Sequence, residues 1–223
     1  MGRKKYLVLS AGGTGTRMGA DIPKQFLELS GKPILRLTLE KFLEAEPDIH
    51  ILTVLPQAHI TLWRQYCLKA GFTCPQRLVK GGFTRFHSVK NALAYVPDGA
   101  LVAVHDGVRP LISVGKIREL FAAAEDVPAL VPAMPVTDTL KYHSGEALDR
   151  SRIWAVQTPQ IFHSEILKEA YTQGYDTLFT DDASVVHKYG IPLSFTEGER
   201  YNLKITTPED LELAKMLVQS LPV

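Results

Sequence analysis

The chain has 223 residues, with 25 lysines and arginines against 24 aspartates and glutamates, so its formal net charge is +1. Apolar residues make up 45% and charged residues 22%, the usage of an ordinary globular protein, which excludes disordered, collagen-like and disulfide-scaffold chains. The even balance also excludes a broad basic surface for nucleic acid or an anionic membrane, so an anionic ligand must be met by cations gathered locally.

Short apolar runs alternate with longer amphipathic stretches. YLVLS (6–10) reads as a buried strand that runs into the glycine-rich AGGTGTRMG. Residues 31–47 set Ile34, Leu35, Leu37, Leu39, Phe42 and Leu43 among charges and stop at proline, which predicts a helix. A strand at 49–55, a helix at 57–71 closed by Gly71, a short strand and turn at 77–82 and a helix at 84–96 follow. Next come a strand at 100–106, a helix at 114–126 and a strand at 129–136, then a late strand at 192–198 and a final helix at 208–221. Near-continuous Val/Ile/Leu strands alternating with helices predict an α/β fold: a mainly parallel, Rossmann-like sheet covered by helices on both faces. The stretch 137–157 breaks the rhythm. Its Ser-Gly turn between two polar/apolar segments predicts a hairpin projecting from the sheet, so 1–223 reads as one domain with 137–157 as an arm.

Cys67 and Cys74 are seven apart, match no metal or redox spacing and read as reduced thiols. The basic MGRKK leads straight into the first strand without a signal-peptide pattern, and no apolar run reaches the ~20 residues of a membrane span. A cytoplasmic protein is expected.

Gly12, Gly13, Gly15 and Gly19 follow the first strand directly. Glycines there let backbone N–H groups approach an anion closely. A dinucleotide fingerprint fails because Met18 stands where its third glycine belongs, and the strand ILTVL ends without the acidic residue that would hold a ribose. A P-loop fails because Gly31-Lys32 and Gly115-Lys116 are followed by Pro33 and Ile117. What remains is a glycine turn with two nearby cations, Arg17 and Lys24, able to neutralise charge at a transferring phosphorus. Asp106 ends the strand LVAVH, where open α/β sheets place ligands and where a carboxylate suits Mg²⁺ beside phosphates; the plainer reading is an aspartate opening the turn at Gly107. The histidines share no ligand spacing, and His105 is expected to shape the Asp106 loop.

Seven segments in order carry a resemblance: AGGTGTRMG with PKQF (11–26), GGFTRFHSV (81–89), HDGVRP (105–110), PVTDTLK (135–141), DRSRIWAVQTPQIF (149–162), TDDAS (180–184) and NLKITTPEDL (202–211). They resemble the sugar-nucleotide-type nucleotidyltransferases and, more narrowly, the 2-C-methyl-D-erythritol 4-phosphate cytidylyltransferase family of non-mevalonate isoprenoid synthesis, over nearly the whole chain. The resemblance implies transfer of CMP from CTP to a polyol phosphate with release of pyrophosphate. It also implies Mg²⁺ or another divalent cation, and a homodimer whose hairpin arms complete each other's active sites. It gives Arg17 and Lys24 the transition state, and Ala11, Gly12, Gly13 and Gly15 the CTP site. Gly81, Gly82 and Ser88 fall at the cytosine and ribose end, with Arg85 in support. Asp106 takes the metal. Arg150 and Lys204 position the acceptor phosphate with hydroxyls from Thr139, Thr158 and Thr180, and Arg109 faces that phosphate or holds its loop.

Two departures stand out. Phe83 stands where a similar member of the family has an acidic residue, leaving base recognition there to backbone groups, and Asn202 has no acidic residue next to it as several members of the family do. The segment around Asn202-Leu203-Lys204 also occurs in ribitol-5-phosphate cytidylyltransferases, which are the alternative acceptor class. A non-catalytic nucleotide sensor is the alternative outside enzymes.

Overall fold

The computed structural model describes residues 2–12 and 22–220. The chain opens with β1 (Lys4–Ser10). After a 3₁₀ turn at Lys24–Phe26 come the two-residue strands β2 (Glu28–Leu29) and β3 (Lys32–Pro33), then α1 (Ile34–Ala45). Alternation follows: β4 (His50–Leu55), α2 (Gln57–Lys69), β5 (Gln76–Lys80), α3 (Arg85–Leu93), β6 (Ala100–Asp106), α4 (Val114–Ala123) and β7 (Ala129–Pro135). The last third holds β8 (Trp154–Val156), β9 (Gln160–His163), α5 (Ser164–Ala170), α6 (Asp182–Lys188), β10 (Ser194–Glu197) and α7 (Pro208–Ser220).

Among the described residues eight strands form one sheet, in the order β10-β7-β9-β6-β1-β4-β5, with β8 also on β7. β1 pairs in parallel with β4 and β6, β4 with β5, and β7 with β10, whereas β9 lies antiparallel between β6 and β7. Period-two alternation divides the core. Leu7, Leu9, Leu101 and Ala103 face α1, α2 and α4 with Leu39, Phe42, Trp63 and Phe121, while Val8, Val102 and Val104 face α3, α5 and α6 with Phe86, Val89, Leu167 and Val186. Burial on both faces is why these strands read as unbroken apolar runs. A third cluster of Leu29, Ile34, Val108, Ile205 and Ala214 fastens α7 over the β2–β3 hairpin.

Helix bounds are tighter than periodicity suggested. The predicted 31–47 helix begins only at Ile34, because Lys32 and Pro33 pair with Glu28 and Leu29 first. Gly71 closes α2 at φ +59°, the left-handed conformation that glycine tolerates. The strand β9 and the seven-residue α5 and α6 had no counterpart in the predicted elements. In the 137–157 excursion, Tyr142 and Gly145 form the turn, Leu148 N–H donates to Leu140 O at 3.0 Å, and one antiparallel bridge joins Lys141 to Ala147. Only β8 joins the sheet. No helix among the described residues is long and apolar enough to cross a membrane.

Candidate active site

Strand register brings the chemistry together at the carboxyl ends of the strands, where α/β sheets bind ligands. Ser10 lies opposite Asp106, and the Gly107 N–H donates to Ser10 O at 2.9 Å. A Cβ on Gly107 would lie 3.1 Å from the Ala11 side chain and 3.3 Å from Ser10 O, so this close approach depends on glycine. Buried Gln25 donates to Ala11 O at 2.9 Å and pins the turn carrying Lys24 beside the first strand.

Two adjoining cavities open there. The first, about 380 Å³, is bordered by Ala11, Gly12, Lys24, Gly82, Phe83 and Ser88. The second, about 200 Å³, is bordered by Arg109, Gln157, Thr158, Gln160, Thr180 and Asp181. Arg85, Asp106 and Lys204 border both. A larger depression of about 1170 Å³ lies near the opposite ends of β1, β4 and β5, around Tyr6, His50 and Cys74, and none of the expected site residues lines it.

Asp106 is the electrostatic centre. Its Oδ2 accepts from Lys204 Nζ at 3.0 Å and Arg109 Nε at 3.3 Å, and its Oδ1 faces Arg85 Nε at 3.6 Å. Burial opposes its ionisation, but Arg85, Lys204 and Arg109 outweigh burial and hold the carboxyl well below the usual range. Arg85 in turn donates to Asp182 at 2.6 Å, and fully buried Asp182 also accepts the Tyr171 hydroxyl at 2.6 Å. Burial alone would lower the pKa of Arg85; Asp182 and Asp106 raise it above its ordinary value. Arg85 opens α3 behind the N-cap Thr84, a helix end that disfavours a cation, so these two carboxylates are what hold it. Arg109 also donates to Asn202 O at 2.7 Å, which ties the β6 loop to the segment carrying Lys204.

His105 sits beneath this cluster, fully buried, with the Phe42 ring 5.0 Å away. The Asp106 N–H donates to Thr158 Oγ1 at 3.1 Å, and Thr158 Oγ1 lies 3.0 Å from His105 Nδ1. His105 Nε2 lies 3.2 Å from Arg109 O, which only accepts, so Nε2 carries the proton and Nδ1 accepts from Thr158. Burial pushes the His105 pKa down to about 4, against the pull of Asp106. The unfolded chain therefore binds a proton that the folded chain rejects between pH 6.5 and about 4. Stability from this group is complete above pH 6.5 and falls as pH drops, by roughly 3 kcal/mol in all. Thermal melts of the protein and of His105→Gln are expected to diverge in slope across that window, the variant being the flatter; parallel curves would refute the assignment.

The structure thus brings Ala11, Gly12, Lys24, Gly82 and Ser88 to the first cavity and Arg109, Thr158 and Thr180 to the second, with Asp106 and Lys204 shared. Gly81 lies behind the wall, its N–H donating to Leu55 O at 2.8 Å. Thr139 and Arg150 are not brought to either cavity of their own chain: both are exposed on the arm, where Arg150 donates to Thr137 O. Gly13, Gly15 and Arg17 lie outside the described residues. Sequence reasoning missed Asp182, Tyr171 and Gln160. The Asp-Asp pair ahead of an apolar run was a readable helix start, and Asp181 does cap α6 in a capping box with Ser184.

Among the described residues no three His, Cys, Asp or Glu side chains are placed to cage a metal. Mg²⁺ is commonly held by one or two carboxylates together with substrate phosphates. Asp106, the one carboxylate that both cavities share among the described residues, with Oδ1 only loosely engaged at 3.6 Å, fits a cation that arrives with a nucleotide.

A mostly parallel sheet thus carries paired polar cavities that share Asp106 and are ringed by cations, an arrangement suited to bringing two anionic substrates together, and the family match places the chain among the nucleotidyltransferases. Residues 6–220 match the IspD family, 2-C-methyl-D-erythritol 4-phosphate cytidylyltransferase, and the chain belongs to that family. A cytidylyltransferase of that name from Porphyromonas gingivalis is 50% identical, the match covering 99% of this chain and 100% of the relative. One from Bacteroides thetaiotaomicron is 44% identical over 96% of this chain and 100% of its own length. The crystal structure of the Thermus thermophilus enzyme superposes with a TM-score of 0.79 at 32% identity, covering 97% of this chain and 99% of that one.

Proposed function

We propose that this chain transfers CMP from CTP to 2-C-methyl-D-erythritol 4-phosphate, giving 4-diphosphocytidyl-2-C-methyl-D-erythritol and pyrophosphate. The observation that carries the reading is the pair of cavities meeting at Asp106, Arg85 and Lys204, one for each phosphorylated substrate. The acceptor's phosphate is already ionised at neutral pH, so its oxygen attacks the α-phosphorus without a protein base. That P–O bond forms as the bond to pyrophosphate breaks, and pyrophosphate leaves with the electron pair.

The protein's task is to bring two polyanions together and neutralise the charge that spreads over the α-phosphate. Lys24 serves the nucleotide cavity, with Gly12 offering backbone approach beside Ala11, whose own N–H and carbonyl are engaged by Val54 and Gln25. Arg17, Gly13 and Gly15 share this role by the family resemblance. Arg109 and Thr180 face the acceptor, and Lys204 reaches both substrates. Thr158 spends its only hydroxyl hydrogen on His105 and offers the acceptor at most a lone pair. A divalent cation held by Asp106 would screen the triphosphate. A coupled pyrophosphate-release assay is expected to show turnover with methylerythritol phosphate and none with ribitol 5-phosphate; turnover with ribitol phosphate alone would overturn the reading.

The enzyme works as a cytoplasmic homodimer in which Thr139 and Arg150 serve the partner's acceptor site. Half-exposed Tyr142, Trp154 and Val156 along the arm support this reading, because large apolar side chains gathered on one projection suit a second copy. Light scattering should return twice the 24.7 kDa chain mass. Arg150→Ala should raise the KM for the acceptor on the order of tenfold with the KM for CTP unchanged, as for loss of one charge-assisted hydrogen bond. A monomer with full activity would refute the shared site.

A further inference from the structure

We infer that Phe83 is the aromatic platform of the nucleotide cavity, against which the pyrimidine ring of the bound nucleotide stacks. This rests on the nucleotidyl-transfer reading and deepens it.

The first cavity is polarised. Arg85, Asp106 and Lys204 occupy the end it shares with the second cavity and Lys24 adds a further cation to its wall, while Gly12, Gly82, Phe83 and Ser88 add no formal charge. A nucleoside triphosphate drawn in by its charge sets its phosphates toward the cations, leaving its base to the uncharged residues. The side-chain hydrogen-bonding capacity among those residues is already largely spent. Ser88 Oγ donates to Thr84 O at 2.9 Å and accepts the Gly82 N–H at 3.0 Å. The largest surface still open to a planar ring is the Phe83 side chain.

Phe83 is 101% exposed, beyond any other large apolar residue of the described chain, so it contributes nothing to the core. Water contact over the whole ring is unfavourable, and a loose loop would let the ring fold back. Here the backbone on either side of it is held. Gly81 N–H is bound to Leu55 O, the Thr84 hydroxyl accepts the His87 N–H at the start of α3, and a Cβ on Gly82 would lie 2.4 Å from the Cβ of His87. The turn is thus clamped against α3 and presents Phe83 outward at the cavity edge. Its one aromatic neighbour among the described residues is His87, perpendicular at 6.4 Å, which leaves the ring open.

The test is steady-state pyrophosphate release with CTP and methylerythritol phosphate, each varied in turn, for the protein and its Phe83→Ala and Phe83→Trp variants. Loss of a stacking platform is expected to raise the KM for CTP on the order of tenfold in Phe83→Ala, leaving kcat and the acceptor KM within about twofold. Phe83→Trp restores the CTP KM, and its added indole fluorescence is quenched on titration with CTP. An unchanged CTP KM in Phe83→Ala, an equal rise in both KM values, or no quenching in Phe83→Trp would each overturn the inference. Should the parent protein turn over no methylerythritol phosphate, the proposed reaction falls, while the CTP titration of Phe83→Trp still decides the platform.

Discussion

Asp106→Asn is expected to lower kcat by about 10²–10³-fold at saturating CTP and acceptor, the scale on which losing one preorganised charge at a transition state is felt. The amide keeps the shape and removes the charge that gathers Lys204 at 3.0 Å, Arg109 at 3.3 Å and Arg85 at 3.6 Å. The three cations do not respond alike. Arg85 keeps Asp182 and Arg109 keeps Asn202 O, so both have a second anchor. The Lys204 side chain is 40% exposed, its only ion pair among the described residues is with Asp106, and it swings toward water once Asp106 is neutral. The acceptor KM should therefore rise as kcat falls. Lys204→Met in the Asp106→Asn background should cost far less than in the parent, because the two residues act as a unit. Kinetics alongside a melting curve check this, and a kcat within threefold of the parent would refute the central place of the carboxylate.

Asp106 was readable as the end of a strand, and its partners Arg85, Arg109 and Lys204 were singled out through the resemblance, but the Asp182 behind Arg85 was not, for a physical reason. A carboxylate closing a five-residue apolar run announces the carboxyl end of a strand, and the alternation of such runs announces the sheet. Arg85 and Asp182 are 97 residues apart, and nothing local in either segment records that they meet. The last third of the fold was hidden likewise. β9 is four residues inserted antiparallel into a parallel sheet, and α5 and α6 are seven residues each, too short for a helical period to emerge. They matter because Gln160 at the start of β9 donates to Asp181 at 2.6 Å and accepts the Ala183 N–H at 2.8 Å, setting the end of α6 that carries Asp182. The arm was readable as a turn, since Ser144-Gly145 sits between polar segments and Gly145 takes φ +94°.

Asp182→Ala is expected to lower stability by on the order of 3 kcal/mol, the lower end for breaking a buried ion pair because the Arg85 side chain keeps 28% exposure. In a chain of this length that corresponds to a fall in Tm of about 6–12 °C. The loss has two parts: a guanidinium left facing only Asp106 at 3.6 Å, and a Tyr171 hydroxyl left buried without its acceptor. Tyr171→Phe separates them. It removes the hydroxyl while Asp182 keeps Arg85, so it should cost only about 1 kcal/mol and leave kcat unchanged. Asp182→Ala should lower kcat as well, because Arg85 is released from its buried anchor and draws in on Asp106, displacing the carboxylate that both substrates share. Equal kcat in the two variants would mean that the Arg85–Asp182 pair only supports the fold. A kcat that falls in Asp182→Ala alone would mean that the buried carboxylate, although it borders neither cavity, sets the geometry of the reaction through Arg85.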